Sequence, residues 1–473
     1  MVFDLNQILD QFNLFLNFVI YAPPFRVYYF LFTHGGWFIF LWIFLDFFLI
    51  FAYLSRFIVF SISKIKWIYL AIDVPKGNEQ TPKAVEQIFA HLAGAHKNPD
   101  LEEAYLDGYH QPWFSFEIVS IEGYTQFIIG TIEKYRDLVE AAIYAQYSDA
   151  EITEIEDYAK DFPDHFPNKE NYMLFGTEFV LTNEEYSYPI RTYSEFEHPT
   201  AENVYKDPLA ALLETLSRLG KGEFAGIQIT IKPISNEWHN WKKHGLEIVQ
   251  KMIGAAPKKI ESNLIGKLGA VAGSIFDTSV TAVTGVEANW GEPEIKKDAP
   301  PSLMLHLPPR YKAAIERVEG KLAKICFACK IRFVYLAKKE VYNKNRAAYG
   351  VTGAMKQFNT EDLNGLKPDF HSIGTHVHYF MKEERLNWRR NRLINAYKSR
   401  SRWFGISEYL LNIEELASLW HFPMLDIKPP LLATTEAKRG QPPSSLPTER
   451  GGGMIKAIER KALPITPPSN LPI

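Results

Sequence analysis

The chain has 473 residues, of which 47% are hydrophobic, so it holds enough apolar material for two or three packed domains and is not an intrinsically disordered protein. Its formal net charge of -3 excludes a uniformly basic nucleic-acid coat protein. Its two cysteines are too few for a disulfide-built secreted fold and are typical of a reducing compartment.

A strongly apolar run from residue 36 to residue 57 predicts a membrane-spanning helix near the N-terminus. A helix rises about 1.5 Å per residue, so roughly 20 apolar residues cross a hydrocarbon core of about 30 Å. Arg56 lies at the end of the run and Lys64 and Lys66 follow it, whereas Asp4 and Asp10 precede it. The positive-inside rule therefore places the bulk of the chain in the cytoplasm. We expect residues 1–66 to form a single-pass anchor in the cytoplasmic (inner) membrane, without a cleavable signal peptide.

Two features of this anchor leave alternatives open. The apolar stretch that starts at Phe12 is interrupted by Pro23 and Pro24, which favours an interfacial or re-entrant segment over a second span. Asp46 lies near the middle of the predicted span, where a carboxylate is costly. It could serve an ion or proton pathway or the association of helices, or its cost could simply be offset by its Phe and Leu neighbours.

Strands and helices alternate in a first predicted lobe, residues 67–235. Glu122-Gly123 separates two β-rich runs and predicts a hairpin turn. Thr81, followed by Pro82, predicts the start of an amphipathic helix. The remaining elements expected in this lobe are the strands WIYLAIDV, AEITEIEDY and AGIQITIKP and the helix YRDLVEAAIYAQY.

A related alternation predicts a second lobe, residues 236–426, with the helices HNWKKHGLEIVQKM and YKAAIERVEGKLAK and the strand CKIRFVYLA. Small residues and proline predict a flexible insertion at about 264–303. Residues 427–473 read as a Pro- and Gly-rich tail, either a disordered terminus or an extended segment that a partner groove could bind. The predicted class is α+β: a transmembrane helix, two ferredoxin-like α/β sandwich lobes and this tail.

Two Cys and two His side chains form the strongest candidate for a metal site. Cys326 and Cys329 make a C-x-x-C pair, which supplies only two of the four ligands of a structural zinc. His376 and His378 could supply the other two if they share one face of a strand. The alternatives are that the cysteines are small core residues and that the histidines line a sheet edge. We expect no metal and no cofactor.

A dense basic stretch starts at Arg385, and apolar residues at helical spacing within it predict an amphipathic helix with a positive face. Such a face could bind nucleic acid, anionic membrane lipid or an acidic partner, and it could instead be merely solvated. The chain itself holds a possible partner in the acidic run from Asp149 to Asp164. The basic residues of the predicted face are Arg385, Arg389, Arg390, Arg392, Lys398, Arg400 and Arg402.

Several sequence blocks resemble those of one family. They include WIYLAIDVPKGNEQTPKAVEQIFAHLAG, FEIVSIEGYTQF, DPLAALLETLSRLGKGEFAGIQITIKP, FNTEDLNGLKP and YLLNIEELASLWHFP. In this order they resemble the N-terminal, non-motor region of membrane-associated conjugative or type IV secretion ATPases of candidate-phyla (Patescibacteria) bacteria. The resemblance runs from about residue 67 to about residue 447. It implies a following motor domain, joined by a Pro-rich connector similar to residues 429–447 here.

The sequence lacks the motor's phosphate-binding loop, because no G-x-x-x-x-G-K-[ST] string occurs in it. It also lacks the G-x-S-x-G, H-E-x-x-H and G-x-G-x-x-G motifs. We therefore expect a non-catalytic, membrane-anchored platform of a type IV secretion or conjugation-like machine. It would assemble with itself or with a separately encoded P-loop ATPase. Alternatively, the motor was lost and the tail became a docking peptide. The alternative is a membrane-tethered adaptor that binds nucleic acid through the basic helix.

Overall fold

A computed structural model of the chain describes residues 17–33, 37–196, 207–253 and 307–424, apart from 19, 76, 77 and 79. The predicted insertion at 264–303 and the predicted tail at 427–473 lie outside the described residues.

Helices and strands alternate through the described part of the chain. The helices are α1 (Pro24–Leu31), α2 (Trp37–Lys64), α3 (Pro82–Leu92), α4 (Leu101–Tyr105), α5 (Arg136–Tyr144), α6 (Ala210–Ser217), α7 (Trp241–Ile253), α8 (Pro309–Ala323), α9 (Lys344–Lys356), α10 (Lys382–Lys398) and α11 (Ile413–Leu419). The strands are β1 (Trp67–Asp73), β2 (Phe114–Ile121), β3 (Tyr124–Ile132), β4 (Glu151–Ile155), β5 (Tyr172–Leu181), β6 (Glu223–Pro233), β7 (Cys326–Lys338), β8 (Leu366–Pro368) and β9 (Tyr409–Asn412).

All described strands belong to one antiparallel sheet in the order β4-β1-β3-β2-β6-β7-β5-β8, with β9 paired to β7. The α+β class predicted from the sequence is thus confirmed. The lobe boundary predicted after residue 235 falls between β6 and β7, and these strands pair along the whole of β6. The sheet is therefore continuous across that boundary.

Local signals in the sequence located several of these elements. The hairpin between β2 and β3 turns at Glu122 and Gly123, whose φ angles of 54° and 88° match the turn that suits a two-residue hairpin. Thr81 is the N-cap of α3, and Pro82 is its first residue, as predicted. Strands β5, β8 and β9 were not predicted from the sequence.

Two layers cover the sheet. One face is apolar: Phe116, Ile229 and Phe333 pack there against residues of α3, α5, α6, α9 and α11, including Phe89 and Leu213. Helix α10 covers the middle of the other face, and α7 and α8 pack against the end of that face at Cys326 and Ala328. The α10 side chains Leu393, Ile394 and Tyr397 pack against strand residues and against the segment that contains Phe166.

Helices α1 and α2 differ from most of the other helices because most of their large apolar side chains are exposed. By length and composition, the segment Phe40–Phe60 of α2 could cross a membrane, and none of that segment is buried in the protein. The shorter helix α1 precedes it, at the place where an interfacial or re-entrant segment was predicted.

Candidate functional site on the α10 face of the sheet

Four polar side chains lie side by side across the middle of the sheet, on the face that α10 covers. Glu117 of β2 is opposite Gln228 of β6, Gln228 is opposite Arg332 of β7, and Arg332 is opposite Glu178 of β5. We name these four residues the polar row. Each is at most 2% exposed. Charged residues are almost never this deeply buried without partners, so the row requires compensating bonds.

The polar row is connected from end to end by hydrogen bonds. Gln228 donates to Glu117 Oε1 at 3.0 Å and accepts from Arg332 Nη1 at 3.0 Å. Arg332 also donates to Glu178 Oε1 from Nη2 at 2.7 Å and from Nε at 3.0 Å. Glu178 Oε2 accepts from the backbone N–H of Ile406 at 3.0 Å. The amide of Gln228 thus links Glu117 to the Arg332–Glu178 ion pair, so that each of these buried polar groups has a hydrogen-bond partner.

Arg400 completes the network at the Glu117 end. Its Nε lies 3.1 Å from Glu117 Oε1, and its Nη1 lies 2.6 Å from Asp157 Oδ2. Tyr158 donates to Glu117 Oε2 at 2.6 Å, and its oxygen lies 2.8 Å from the Tyr397 oxygen. Burial is the largest single effect and lowers the pKa of Arg400, but Glu117, Tyr158, Asp157 and Tyr69 together outweigh it and hold that pKa above its ordinary value. Arg400 is therefore a permanently charged, buried cation.

The backbone at Arg400 explains how its side chain reaches this position. Ser401 N–H bonds to Ala396 C=O and Arg400 N–H to Tyr397 C=O, which are the two bonds of a Schellman helix end. The residue at this point is left-handed and is usually glycine, yet Arg400 occupies it with φ 50°. A left-handed conformation costs a non-glycine residue about 1 to 2 kcal/mol. The ion pairs and hydrogen bonds of the Arg400 side chain hold the residue in this conformation.

Arg332 fixes the same helix end from the sheet side. It donates from Nη1 to Ala396 C=O at 3.0 Å and from Nη2 to Ser401 C=O at 2.9 Å. Gly226 on β6 leaves room for Tyr397, because a Cβ on Gly226 would collide with the Tyr397 hydroxyl. Helix α10 is thus held at one defined position on the sheet.

A second charged cluster lies beside the polar row. Glu408 accepts from Arg402 and lies 3.3 Å from Lys232. Lys330 donates to Phe404 C=O at 2.8 Å, and burial lowers the pKa of Lys330 to about 8. These groups hold the segment between α10 and β9 against the sheet.

The predicted basic face is therefore not one exposed surface. Arg390, Arg400 and Arg402 are buried, so none of them can contact an external ligand in this fold. Arg389 donates to four backbone carbonyls of the loop from Phe370 to His376. Lys398 pairs with Asp164, a member of the acidic run that was considered as an internal partner.

Arg385 and Arg392 are the exposed members of this set. The Arg392 guanidinium lies 4.5 Å from the ring centroid of Trp388 and 4.8 Å from that of Phe404. It borders an open cavity of about 420 Å³ between α10 and the neighbouring loops. Arginine stacked on aromatic rings is suited to planar anions, so this cavity is a place where the predicted face is open to an external ligand.

The candidate metal ligands do not come together. Cys326 and Cys329 are three residues apart on β7, so their side chains point to opposite faces of the sheet and join different apolar clusters. Burial raises the pKa of the Cys326 thiol to about 12 and that of Cys329 well above its ordinary value. His376 and His378 are exposed on the loop before α10 rather than on a strand. No group of three or more potential ligands occurs within the described ranges.

Asp46 lies on α2 and accepts a hydrogen bond from Trp42 Nε1 at 2.9 Å, one helical turn earlier. This bond satisfies one carboxylate oxygen within the helix itself. The ion-pathway and helix-association hypotheses for Asp46 both stay predictions.

Sequence reasoning missed the polar row altogether. The sequence does contain a signal for it. Each of the four strands carries a polar or charged residue on one of its two alternating faces, and these residues are Glu117, Glu178, Gln228 and Arg332. That pattern normally indicates a solvated face, and here α10 covers the face instead.

A protein-family model described as a domain of unknown function, DUF8128, matches residues 74–434. The matched range contains every strand of the sheet after β1, together with α10 and the polar row. No curated protein matches the chain.

Proposed function

This chain belongs to the DUF8128 family, and we propose that it is a non-catalytic, membrane-anchored platform for the assembly of other proteins. The proposal rests on the place where the basic side chains of the predicted face are bonded. The basic residues that suggested a ligand-binding helix are mostly bonded inside the protein, where they lock α10 onto a continuous sheet. A rigid body of this kind is suited to positioning partners.

The membrane location of this platform rests on α2, the apolar helix that is exposed in the protein. We propose that α2 is a single-pass anchor in the cytoplasmic membrane with the sheet in the cytoplasm, since basic residues follow the apolar segment. The proposed assembly is a type IV secretion or conjugation-like machine whose motor is a separate P-loop ATPase. That part of the proposal rests on the sequence resemblance alone.

We further propose that the sheet consists of two ferredoxin-like units joined edge to edge. In such a unit, β-α-β-β-α-β connections give the strand order 4-1-3-2. The order β4-β1-β3-β2, with α3 and α5 as the connecting helices, fits the first unit. The order β8-β5-β7-β6, with α6 and α9, fits the second. Pairing of β2 with β6 joins them, which would begin the second unit at β5 rather than at residue 236.

Native-state hydrogen exchange tests the two-unit proposal. We expect β1–β4 and β5–β8 to open as two cooperative groups with different free energies. A single opening event for all strands, at one free energy, would contradict it.

The platform proposal is tested by purifying the full-length protein in mild detergent from its own membranes and identifying the bound proteins by mass spectrometry. We expect a P-loop ATPase to co-purify after nuclease treatment. Arg385→Glu combined with Arg392→Glu changes only exposed members of the basic set, so this variant is the matched control for binding through that surface. We expect it to retain the ATPase.

A different result supports the nucleic-acid adaptor. In that case nucleic acid, and no ATPase, accompanies the protein, binding weakens steeply with salt, and the double variant loses it. Recovery of neither class of partner would contradict the coupling to a motor.

A further inference from the structure

The loop that precedes β2 packs along α2 over more than one helical turn. The ring of Tyr105 lies 5.9 Å from that of Tyr53, and the ring of His110 lies 4.2 Å from that of Phe57. The ring of Tyr109 lies 5.4 Å from that of Phe60. The last residue of α4 and the loop after it thus contact α2 between residue 53 and residue 60, which defines the register of α4 along α2.

Gly108 shows how close this contact is. A Cβ on Gly108 would lie 2.6 Å from the backbone nitrogen of Phe57, and its φ of 69° is left-handed. Both the close approach and the backbone conformation favour glycine. The loop is therefore seated on the backbone of α2, with no side chain between them.

This register sets the height of α4 relative to the apolar segment of α2. Phe60 is the last residue of the segment that could cross a membrane. At a rise of 1.5 Å per residue, Tyr53 lies about 10 Å inside that end. Helix α4, which ends at Tyr105, therefore lies beside the apolar part of α2 and not beyond it.

The side chains around this contact are apolar and exposed. Leu101 is 78% exposed, and Tyr105 and Leu106 are each 64% exposed. Trp403 is also 64% exposed, and its ring lies 5.1 Å from that of Phe57. We name these four residues, Leu101, Tyr105, Leu106 and Trp403, the collar. Tyr and Trp side chains are enriched at the membrane interface, and Leu is common on the apolar face of helices that lie in it.

We propose that the collar rests in the bilayer interface, so that α4 and the segment after α10 contact the membrane directly beside the anchor. The inference rests on the proposed membrane location of α2. The occupant is lipid because the collar is continuous with the exposed apolar surface of α2. Asp100, Glu102 and Asp107 lie close by in sequence, so the attraction is hydrophobic and does not require anionic lipid.

Site-directed spin labels on the full-length protein in phosphatidylcholine vesicles test this contact. Leu101→Cys and Leu106→Cys place labels on the collar, and Tyr349→Cys on α9, where Tyr349 is 74% exposed, is the aqueous control. A label at Leu45→Cys reports whether α2 lies in the bilayer. Native Cys326 and Cys329 are buried and need no replacement. We expect labels at 101 and 106 to be accessible to oxygen and shielded from a nickel chelate, with the opposite result at 349.

The outcomes separate the two proposals. Nickel accessibility at 101 and 106, with a lipid-exposed label at 45, would overturn the collar and leave the anchor. Nickel accessibility at 45 as well would overturn the anchor. Labels at 101 and 106 that are shielded from both reagents would indicate a covering protein, which also overturns the collar.

Gly108→Ala provides a second test, because the added Cβ pushes the loop away from α2. We expect this change to move the label at 106 toward the nickel chelate. The matched control is Gly94→Ala, since a Cβ on Gly94 has no atom within 4 Å. An unchanged label in both variants would contradict the seating of the collar.

Discussion

Ile331 and Arg332 are neighbours on β7, but they point to opposite faces of the sheet and meet different surroundings. Ile331 packs in the apolar cluster under α3, α5, α6, α9 and α11. Arg332 lies in the polar row under α10 and bonds to Glu178, Gln228 and two backbone carbonyls. Both side chains are at most 1% exposed.

Helices are thus held on the two faces of this sheet in different ways, by apolar packing on one face and by buried ion pairs on the other. Apolar packing tolerates exchange among side chains of similar volume, usually at less than about 1.5 kcal/mol. Buried ion pairs contribute little net stability, but the loss of one partner leaves an uncompensated charge. We infer that the buried charges set the position of α10 on its face of the sheet. On the other face, the buried apolar area provides most of the stability.

The largest expected effect is at Arg400. Arg400→Gly suits the left-handed backbone at this position, so the substitution removes the charge without adding strain. We expect a loss of about 3 to 5 kcal/mol in the free energy of unfolding, because Glu117 stays buried and unpaired. Urea denaturation measures it. Adding Glu117→Gln should recover part of the loss, and equal stability of the single and double variants would contradict the role of buried charge.

The two neighbours on β7 give a matched pair of smaller changes. Ile331→Val removes one buried methylene and should cost about 1 kcal/mol. Arg332→Lys keeps the charge but cannot match the planar fork that serves four acceptors, so we expect a loss of about 2 to 3 kcal/mol. Both values come from denaturant unfolding under the same conditions. If the lysine variant is no less stable than the valine variant, the two faces do not differ as proposed.

Lys330 gives the α10 face a pH dependence of its own. Burial lowers its pKa from 10.5 to about 8, despite the attraction of Glu178 and Glu408. Between these values the unfolded chain binds a proton that the folded chain lacks, so this group makes stability rise with pH. We expect the stability of Lys330→Met relative to wild type to fall by about 1 to 2 kcal/mol between pH 7.5 and 9.5. A difference independent of pH would contradict the lowered pKa.

The smallest expected effect concerns the cysteines, one on each face. Because burial raises the pKa of both thiols, neither forms the reactive thiolate near neutral pH. We expect no maleimide labelling of the folded protein at pH 7.5 and labelling of both residues in denaturant. Rapid labelling of either cysteine in the folded protein would show that its face opens.

The sequence by itself determined the local features of this protein. The hairpin at Glu122-Gly123, the start of α3 at Pro82 and the apolar helix α2 all depend on residues close together in the chain. Turn geometry, helix capping and a long apolar run act over a few residues, so the sequence is enough to predict them.

Only the tertiary structure decided what the polar positions of the strands do. Glu117 and Arg400 are 283 residues apart in the chain, and Glu178 and Arg332 are 154 apart. A charged residue in an amphipathic strand predicts a solvated face, because burial of an unpaired charge costs too much free energy. The fold reverses that expectation by bringing the partner from far away, and no local pattern records where the partner will lie.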